Sequence, residues 1–360
     1  MRFGYTRNLG PTSDPHIKKE EMMTTAETAV TPERIMQFTW GYVPTLVLEA
    51  AIRHRVFDVL DTGAKSLAEV QKETGASTRG LSAIMNVLVG LNFLAKDEHG
   101  VFSLTPESSA FLVSTKPGYQ GGLLKHSSEQ LIPKWLAINE IVATGKPKEA
   151  VNQEKSGGEF FHEFVNDILP LSYPAARALA GGLELHAASA PVRVLDLAAG
   201  SGVWGIALAQ ASPQVQVTAV DWPEVIPVTR KTVARFGVAD RFSFVEGDLL
   251  QADFGAGYNV ATLGHILHSE GPTRSRALLK KTFAALAPGG TIAIAEFLVN
   301  PDRTGPINGL FFAVNMLVNT DEGDTFSFEE ISGWLAEAGF TNARTFDAPG
   351  PSPLVLATKP

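Results

Sequence analysis

The chain has 360 residues, a net charge of −8 and a pI near 5.6, with 44% hydrophobic and 19% charged residues. That length accommodates more than one domain, and the acidic balance argues against nucleic acid, whose phosphates select basic surfaces. There is no cysteine, which excludes disulfides, thiolate-held zinc, iron–sulfur clusters and a thiol nucleophile, and is compatible with a cytoplasmic setting. No apolar run reaches the roughly 18 residues of a membrane span, and no signal-peptide core opens the chain.

Residues 1–30 are polar, with Gly10-Pro11 and a charge cluster from Lys18 to Glu21. They read as a disordered extension, with Met22 and Met23 as alternative starts. Residues 31–115 read as a small helical domain. Leu46, Leu48, Ala51, Val56, Phe57 and Leu60 have the spacing of a helical core face. Ser66 and Glu69 have capping-box spacing and open a helix that stops near Gly75. Ser77 opens another over 78–91, and 93–95 and 101–104 form a hairpin around the turn at 97–100. Helix–turn–helix plus hairpin is a winged helix. The helix in the recognition position carries one cation, Arg79, too few for phosphate neutralisation, so an interaction domain is the better reading. Ile35, Phe38, Val43, Leu46, Ile84 and Val87 exceed what so small a core needs, which predicts a homodimer through this domain.

Residues 116–190 read as a helical linker, with helices over 123–144 and 158–183, the second broken near Pro170. From 191 to 360, apolar runs alternate with helical patterns, which predicts a mainly parallel sheet. Val194-Leu-Asp-Leu-Ala-Ala-Gly-Ser-Gly202 reads as a strand, a tight turn and the approach to a helix over 203–210. A second strand, 215–220, ends at Asp221. A third, 242–245, ends at Glu246-Gly-Asp248-Leu249, and a fourth, 259–263, before His265-Ile-Leu-His268. Ala287-Pro-Gly-Gly reads as a helix stop and turn into a fifth strand ending at Glu296. Runs at 343–346 and 354–357 read as a closing antiparallel hairpin. Ligands of an open parallel sheet sit beyond the carboxyl ends of its strands, so Asp196, Asp221, Asp248, His268 and Glu296 are expected to meet in one crevice.

A diphosphate-binding turn uses a Gly-x-Gly-x-x-Gly run, whereas Ala198 and Ala199 stand where two of those glycines would fall. The turn therefore suits a nucleoside with a small amino-acid tail, approached by the backbone at Ala198, Gly200 and Gly202. Asp221 offers two oxygens to two ribose hydroxyls; its alternative is a helix N-cap ahead of Pro223. Trp222 packs either on the base or on the sheet. His268 is a candidate general base, since imidazole titrates close to neutrality; its alternative is an ordinary core or surface histidine.

These motifs together resemble the class I S-adenosylmethionine-dependent methyltransferases, and within them the small-molecule O-methyltransferases acting on caffeate, hydroxyindole and bacterial polyketide acceptors. The most specific elements are Asp221-Trp-Pro-Glu-Val-Ile226, Gly247-Asp-Leu249 and Ile266-Leu-His268. The resemblance implies a Rossmann-like α/β fold with a seven-stranded sheet in the order 3-2-1-4-5-7-6, and a dimerisation role for the N-terminal domain. It implies S-adenosylmethionine as cofactor, no metal, and a small aromatic or polyketide-like acceptor. It makes His268 the base and Glu296 the acid that orients it. Asp248 and Leu249 become the adenine pair, and His265 and Ser172 lie toward the cofactor. Ile168, Phe312, Asn315 and Met316 become acceptor-pocket positions, with a helix core stripe as their alternative. Two departures stand out: the family's second acid falls near Thr325, preceded by Asp324, and His-Asp-Trp is replaced by His268-Ser269-Glu270. Same-scaffold hydroxylation or decarboxylation, N- or C-methylation, and a non-enzymatic regulator are the competing readings.

Overall fold

The computed structural model describes residues 30–151, 161, 164–165, 167–350 and 353–360. The extension expected over 1–30 and the start of the helix expected at 158 lie outside the described residues, apart from Val30. Two compact units divide at Tyr42/Val43. In the first unit, Glu33–Phe38 forms a short helix after Pro32. The second, from Val43 onward, carries both sheets and a cavity of about 350 Å³.

The N-terminal part of this second unit holds helices Val43–Arg53, Val56–Asp61, Leu67–Thr74 and Thr78–Gly90. Ser66 and Glu69 form the expected capping box, and Gly75 ends that helix at φ 70°. Strands β1 (Lys65–Ser66), β2 (Leu94–Lys96) and β3 (Val101–Leu104) pair antiparallel in the order β1-β3-β2, completing the winged helix. Phe57, Leu81, Met85, Leu88 and Phe102 fill its core, while Leu46, Val87 and Leu91 stay exposed.

The helix expected over 123–144 is in fact four pieces: Gly121–His126, a π-helical turn Ser127–Leu131, Ile132–Trp135 and Ile138–Thr144. Pro133 supplies the reason, since it has no N–H to continue an α-helical ladder. Pro170 stands in the first turn of the helix Leu169–Gly182, just after the non-helical Asp167 and Ile168, a place where its missing N–H costs nothing.

The large sheet contains β4 (Val192–Leu197), β5 (Val215–Asp221), β6 (Phe242–Glu246), β7 (Tyr258–Gly264), β8 (Leu286–Ala295), β9 (Thr341–Phe346) and β10 (Leu354–Thr358). Its order, β6-β5-β4-β7-β8-β10-β9, is 3-2-1-4-5-7-6 counted within the sheet, as expected. The first five strands are parallel, and β10 runs antiparallel to both β8 and β9. Pro288-Gly289-Gly290 is drawn into β8 rather than forming a free turn, because Gly289 and Gly290 exchange backbone bonds with Lys359 and the register shifts between Tyr258 and Val260. Buried apolar side chains cover both faces of the sheet, as a parallel sheet with helices on each side requires.

Candidate active site

One cavity of about 350 Å³ opens beyond the carboxyl ends of β5, β6, β7 and β8. The turn after β4 forms one wall. Ala198 and Gly200 line it with left-handed φ values of 53° and 54°. Glycine tolerates that conformation; alanine there is a strained choice of the kind that accumulates at ligand sites. Asp221, at the end of β5, accepts the Gly200 N–H at Oδ2 and the Trp222 N–H at Oδ1, both at 2.7 Å. It is no helix cap, because the next helix, Ile226–Arg235, starts five residues later. Burial pushes its carboxyl up to about 6, against the two N–H bonds that favour ionisation. Each oxygen keeps lone-pair capacity for a further donor. Trp222 lines the cavity and packs with Phe161, ring centroids 6.1 Å apart.

Asp248 and Leu249 continue the wall from β6. Asp248 Oδ2 accepts Arg274 Nη2–H at 2.6 Å, and Oδ1 accepts the Leu250 N–H at 2.9 Å. Arg274 Nε–H also bonds Glu270 Oε2 at 2.5 Å, so one guanidinium ties the β6 wall to the segment that carries His268.

His268 stands past β7 and Glu296 just past β8, and neighbouring strands bring them together. His268 Nδ1 meets Glu296 Oε2 at 2.7 Å, and the His268 backbone N–H reaches Oε1 at 3.2 Å. Both side chains are buried, Glu296 to 2% exposure. Burial alone would raise the Glu296 carboxyl, but the imidazole's charge and hydrogen bond outweigh it and hold the group below its ordinary value. An ionised Glu296 fixes the Nδ1–H tautomer and leaves Nε2 as the acceptor. His265 lines the same cavity at φ 60°, and burial lowers its imidazole to about 4, so it is neutral. Its ring lies 5.0 Å from that of Phe297. His265, His268 and Glu296 bring three potential metal donors within 4.8 Å of one another, yet both Glu296 oxygens already accept from His268.

Phe297 and Phe312 stack with centroids 4.0 Å apart, and Phe312 meets the His268 ring edge-on at 4.8 Å. Ile168, Ser172, Asn315 and Met316 also line the cavity. On the opposite side His126 stacks on Phe164 at 3.7 Å and binds Gln130 Oε1 through Nδ1 at 2.5 Å.

Two expected cofactor contacts need correction. Asp196 is fully buried and does not line the cavity. Its oxygens accept Thr262 Oγ1–H at 2.7 Å and the Gly205 N–H at 3.0 Å, and burial lifts its carboxyl to about 7. It holds the turn to β7 and to the following helix Val203–Ala211. Gly202 also lies off the cavity, its α-carbon turned toward Thr229 and Val233. No second acid faces the imidazole at 324–325. Asp324 gives its backbone N–H to the His268 carbonyl at 2.9 Å, while its carboxylate accepts the Thr325 N–H and lies 4.0 Å from Arg303. Sequence reasoning missed His126, Phe161, Phe164, Phe297, Arg274 and Asn319. Two of these carried a positional signal: Phe297, adjacent to Glu296, and Asn319, four residues beyond Asn315 on the same helical face.

Comparison with known proteins agrees with this geometry. Residues 181–341 match the O-methyltransferase domain, and residues 36–114 match the O-methyltransferase dimerisation domain. The chain is 28% identical over 338 residues to the tetracenomycin polyketide synthesis 8-O-methyltransferase of Streptomyces glaucescens, covering 91% of this chain and 97% of that protein. It is 28% identical over 334 residues to the 3-hydroxy-5-methyl-1-naphthoate 3-O-methyltransferase of Streptomyces sahachiroi, covering 91% and 95%. Human N-acetylserotonin methyltransferase, solved with S-adenosylmethionine, shares the fold with a TM-score of 0.80 at 23% identity, covering 92% of this chain and 99% of that one.

Proposed function

The chain belongs to the S-adenosylmethionine-dependent O-methyltransferases, and on that premise we propose that His268 is its general base, methylating a hydroxyl of a small aromatic or polyketide-like acceptor. The observation that carries the assignment is the buried His268–Glu296 pair at 2.7 Å in the wall of the cavity. The cradle suits the cofactor. Asp221 offers spare oxygen lone pairs to ribose hydroxyls, Ala198 and Gly200 offer backbone, and Asp248 with Leu249 offers an acceptor and an apolar face. S-adenosylmethionine, when bound, supplies an electrophilic methyl group on a sulfonium. His268 Nε2 takes the proton as the acceptor oxygen becomes nucleophilic, and Glu296 stabilises the imidazolium that forms. Phe297 and Phe312 give a flat apolar wall against which an aromatic ring lies with its hydroxyl at the imidazole. Ser172, Ile168, Asn315 and Met316 shape the rest of the pocket, and His265 stays neutral beside the reacting centre.

The reading extends to a cytoplasmic homodimer joined through the N-terminal domain, with neither nucleic acid nor membrane as partner. No helix among the described residues is long and apolar enough to cross a membrane. Exposed Leu46, Val87 and Leu91 supply apolar surface for the dimer. The test is a screen of phenolic metabolites with methyl-labelled cofactor, followed by a pH–rate profile of His268→Ala on one acceptor found. The rate is expected to fall roughly 10²–10⁴-fold at neutral pH with cofactor affinity unchanged, and the loss to shrink as pH nears the acceptor's own pKa. A wild-type rate for His268→Ala at neutral pH would remove the base role and leave proximity as the mechanism.

A further inference from the structure

The helix Ile307–Asn319 presents Phe312, Asn315, Met316 and Asn319 to the cavity, the spacing of one helical face. Two of these form a fixed polar relay. Asn315 Oδ1 accepts Trp135 Nε1–H at 3.1 Å and Asn319 Nδ2–H at 3.1 Å, and Asn319 Nδ2–H also reaches the Asn315 carbonyl at 2.9 Å. An indole N–H only donates, so Asn315 must turn its oxygen to Trp135. The part of Asn319 that meets this oxygen must then be its NH₂. Both amide orientations follow from the one indole.

Asn319 Oδ1 is what remains. The residue is 2% exposed, and among the described residues this oxygen has no hydrogen-bond partner. A buried carbonyl left unpaired is costly, and native structures keep such a group where something else completes it. Asn319 sits seven residues beyond Phe312, the ring packed on His268; two helical turns are about 10 Å along the axis. A planar molecule with one hydroxyl at His268 extends along this face toward Asn319.

We propose that Asn319 Oδ1 reads a second donor on the acceptor, a hydroxyl or N–H remote from the hydroxyl that is methylated. The acceptor class is then at least difunctional, and a compound lacking the second donor is refused because it leaves the buried oxygen unpaired. This rests on the methyl-transfer reading and deepens it.

The test measures binding, so that it does not depend on turnover. Isomeric naphthalenediols, each paired with the corresponding naphthol lacking the second hydroxyl, are titrated by calorimetry into the protein saturated with S-adenosylhomocysteine. The wild type is expected to bind at least one diol about tenfold more tightly than its naphthol, the discrimination of one neutral hydrogen bond. Asn319→Leu should bring the two affinities together by weakening the diol, with affinity for S-adenosylhomocysteine unchanged. Trp135→Phe, which frees Asn315 and hence Asn319 to turn over, should reduce the preference by a smaller factor and tests the relay even if Asn319→Leu folds poorly. Equal affinities in the wild type would mean that water completes Asn319, and would overturn the proposal; so would a preference that survives in both variants. Diols bound preferentially through Asn319 but never methylated by labelled cofactor would support this inference and count against the methyl-transfer reading instead.

Discussion

Glu296→Gln exchanges one oxygen for an NH₂ at the centre of the site, and the surrounding donors determine its effect. The carboxylate accepts twice, from His268 Nδ1–H at 2.7 Å and from the His268 backbone N–H at 3.2 Å. A glutamine has one acceptor oxygen and one NH₂. If its oxygen faces the backbone N–H, its NH₂ faces the ring, and the imidazole must adopt the Nε2–H tautomer, which cannot take a proton from the acceptor. If its oxygen faces the ring, two N–H groups confront each other in a buried place, costing about 1–3 kcal/mol. In either orientation the imidazolium loses a charge-assisted partner of about 1.5–3 kcal/mol, roughly a 10- to 150-fold loss of rate. The wrong-tautomer outcome sets an upper bound near 10⁴, by comparison with the Asp→Asn change in serine protease triads. The assay is kcat over a pH series with one identified acceptor, alongside cofactor affinity, which should not move. The folded-state pKa of Glu296 is depressed. Its stabilising contribution is therefore present above its unfolded value and lost as pH falls through the folded one. The thermal midpoint of the variant should accordingly lie below that of the wild type at pH 7, with the gap closing in acid. A wild-type kcat at neutral pH in Glu296→Gln would refute the orienting role and the tautomer argument together.

Asp221 titrates at about 6 in the folded chain, so cofactor affinity is expected to weaken as pH drops through that value, and Asp221→Asn should lose at least about tenfold in affinity with a flattened pH dependence; calorimetry across pH 5 to 8 checks both. Asp196 and Asp221 both hold protons that the unfolded chain has released, so between about pH 4 and 7 they make the cofactor-free protein less stable as pH rises, which urea titrations at three pH values would detect. Gly271 adopts φ 70°, and a Cβ there would lie 2.6 Å from the Glu322 carbonyl. Gly271→Ala should therefore cost ~1–2 kcal/mol in backbone strain, with overpacking on top, seen as a fall in thermal midpoint. Light scattering should give a dimer, and Leu46→Glu with Val87→Glu, two exposed positions, should give a monomer that keeps its circular dichroism.

The central strands were legible as short apolar runs bounded by turn residues, whereas their order in the sheet came from the resemblance of the motifs to the methyltransferases. His268 and Glu296 were legible because each follows a strand end, and β7 and β8 are neighbours. Asp196 misled because it stands one residue before the end of β4, where its side chain turns toward Thr262 instead of into the cavity. His126 and Phe164 come from segments far from the strand ends, and no local pattern announces that they share a wall, whereas Asn319 continues the helical stripe of Phe312, Asn315 and Met316. The π-helical turn at Ser127–Leu131 hid behind a pattern that reads as one continuous helix; Pro133 was the available signal.

The position of β10 between β8 and β9 has a consequence for a chain emerging from the ribosome. Every described residue that lines the cavity precedes Phe346, so a nascent chain ending there already holds that set. It would still leave the β8 flank bare, because Leu354–Thr358 had not yet arrived to pair with Thr291–Ala295. An exposed strand edge recruits other strands, its own copies on a polysome included. The strand leading to Glu296 would be exposed to such pairing until translation passes residue 358, and the order of synthesis delays a finished active site well beyond the last residue that forms it.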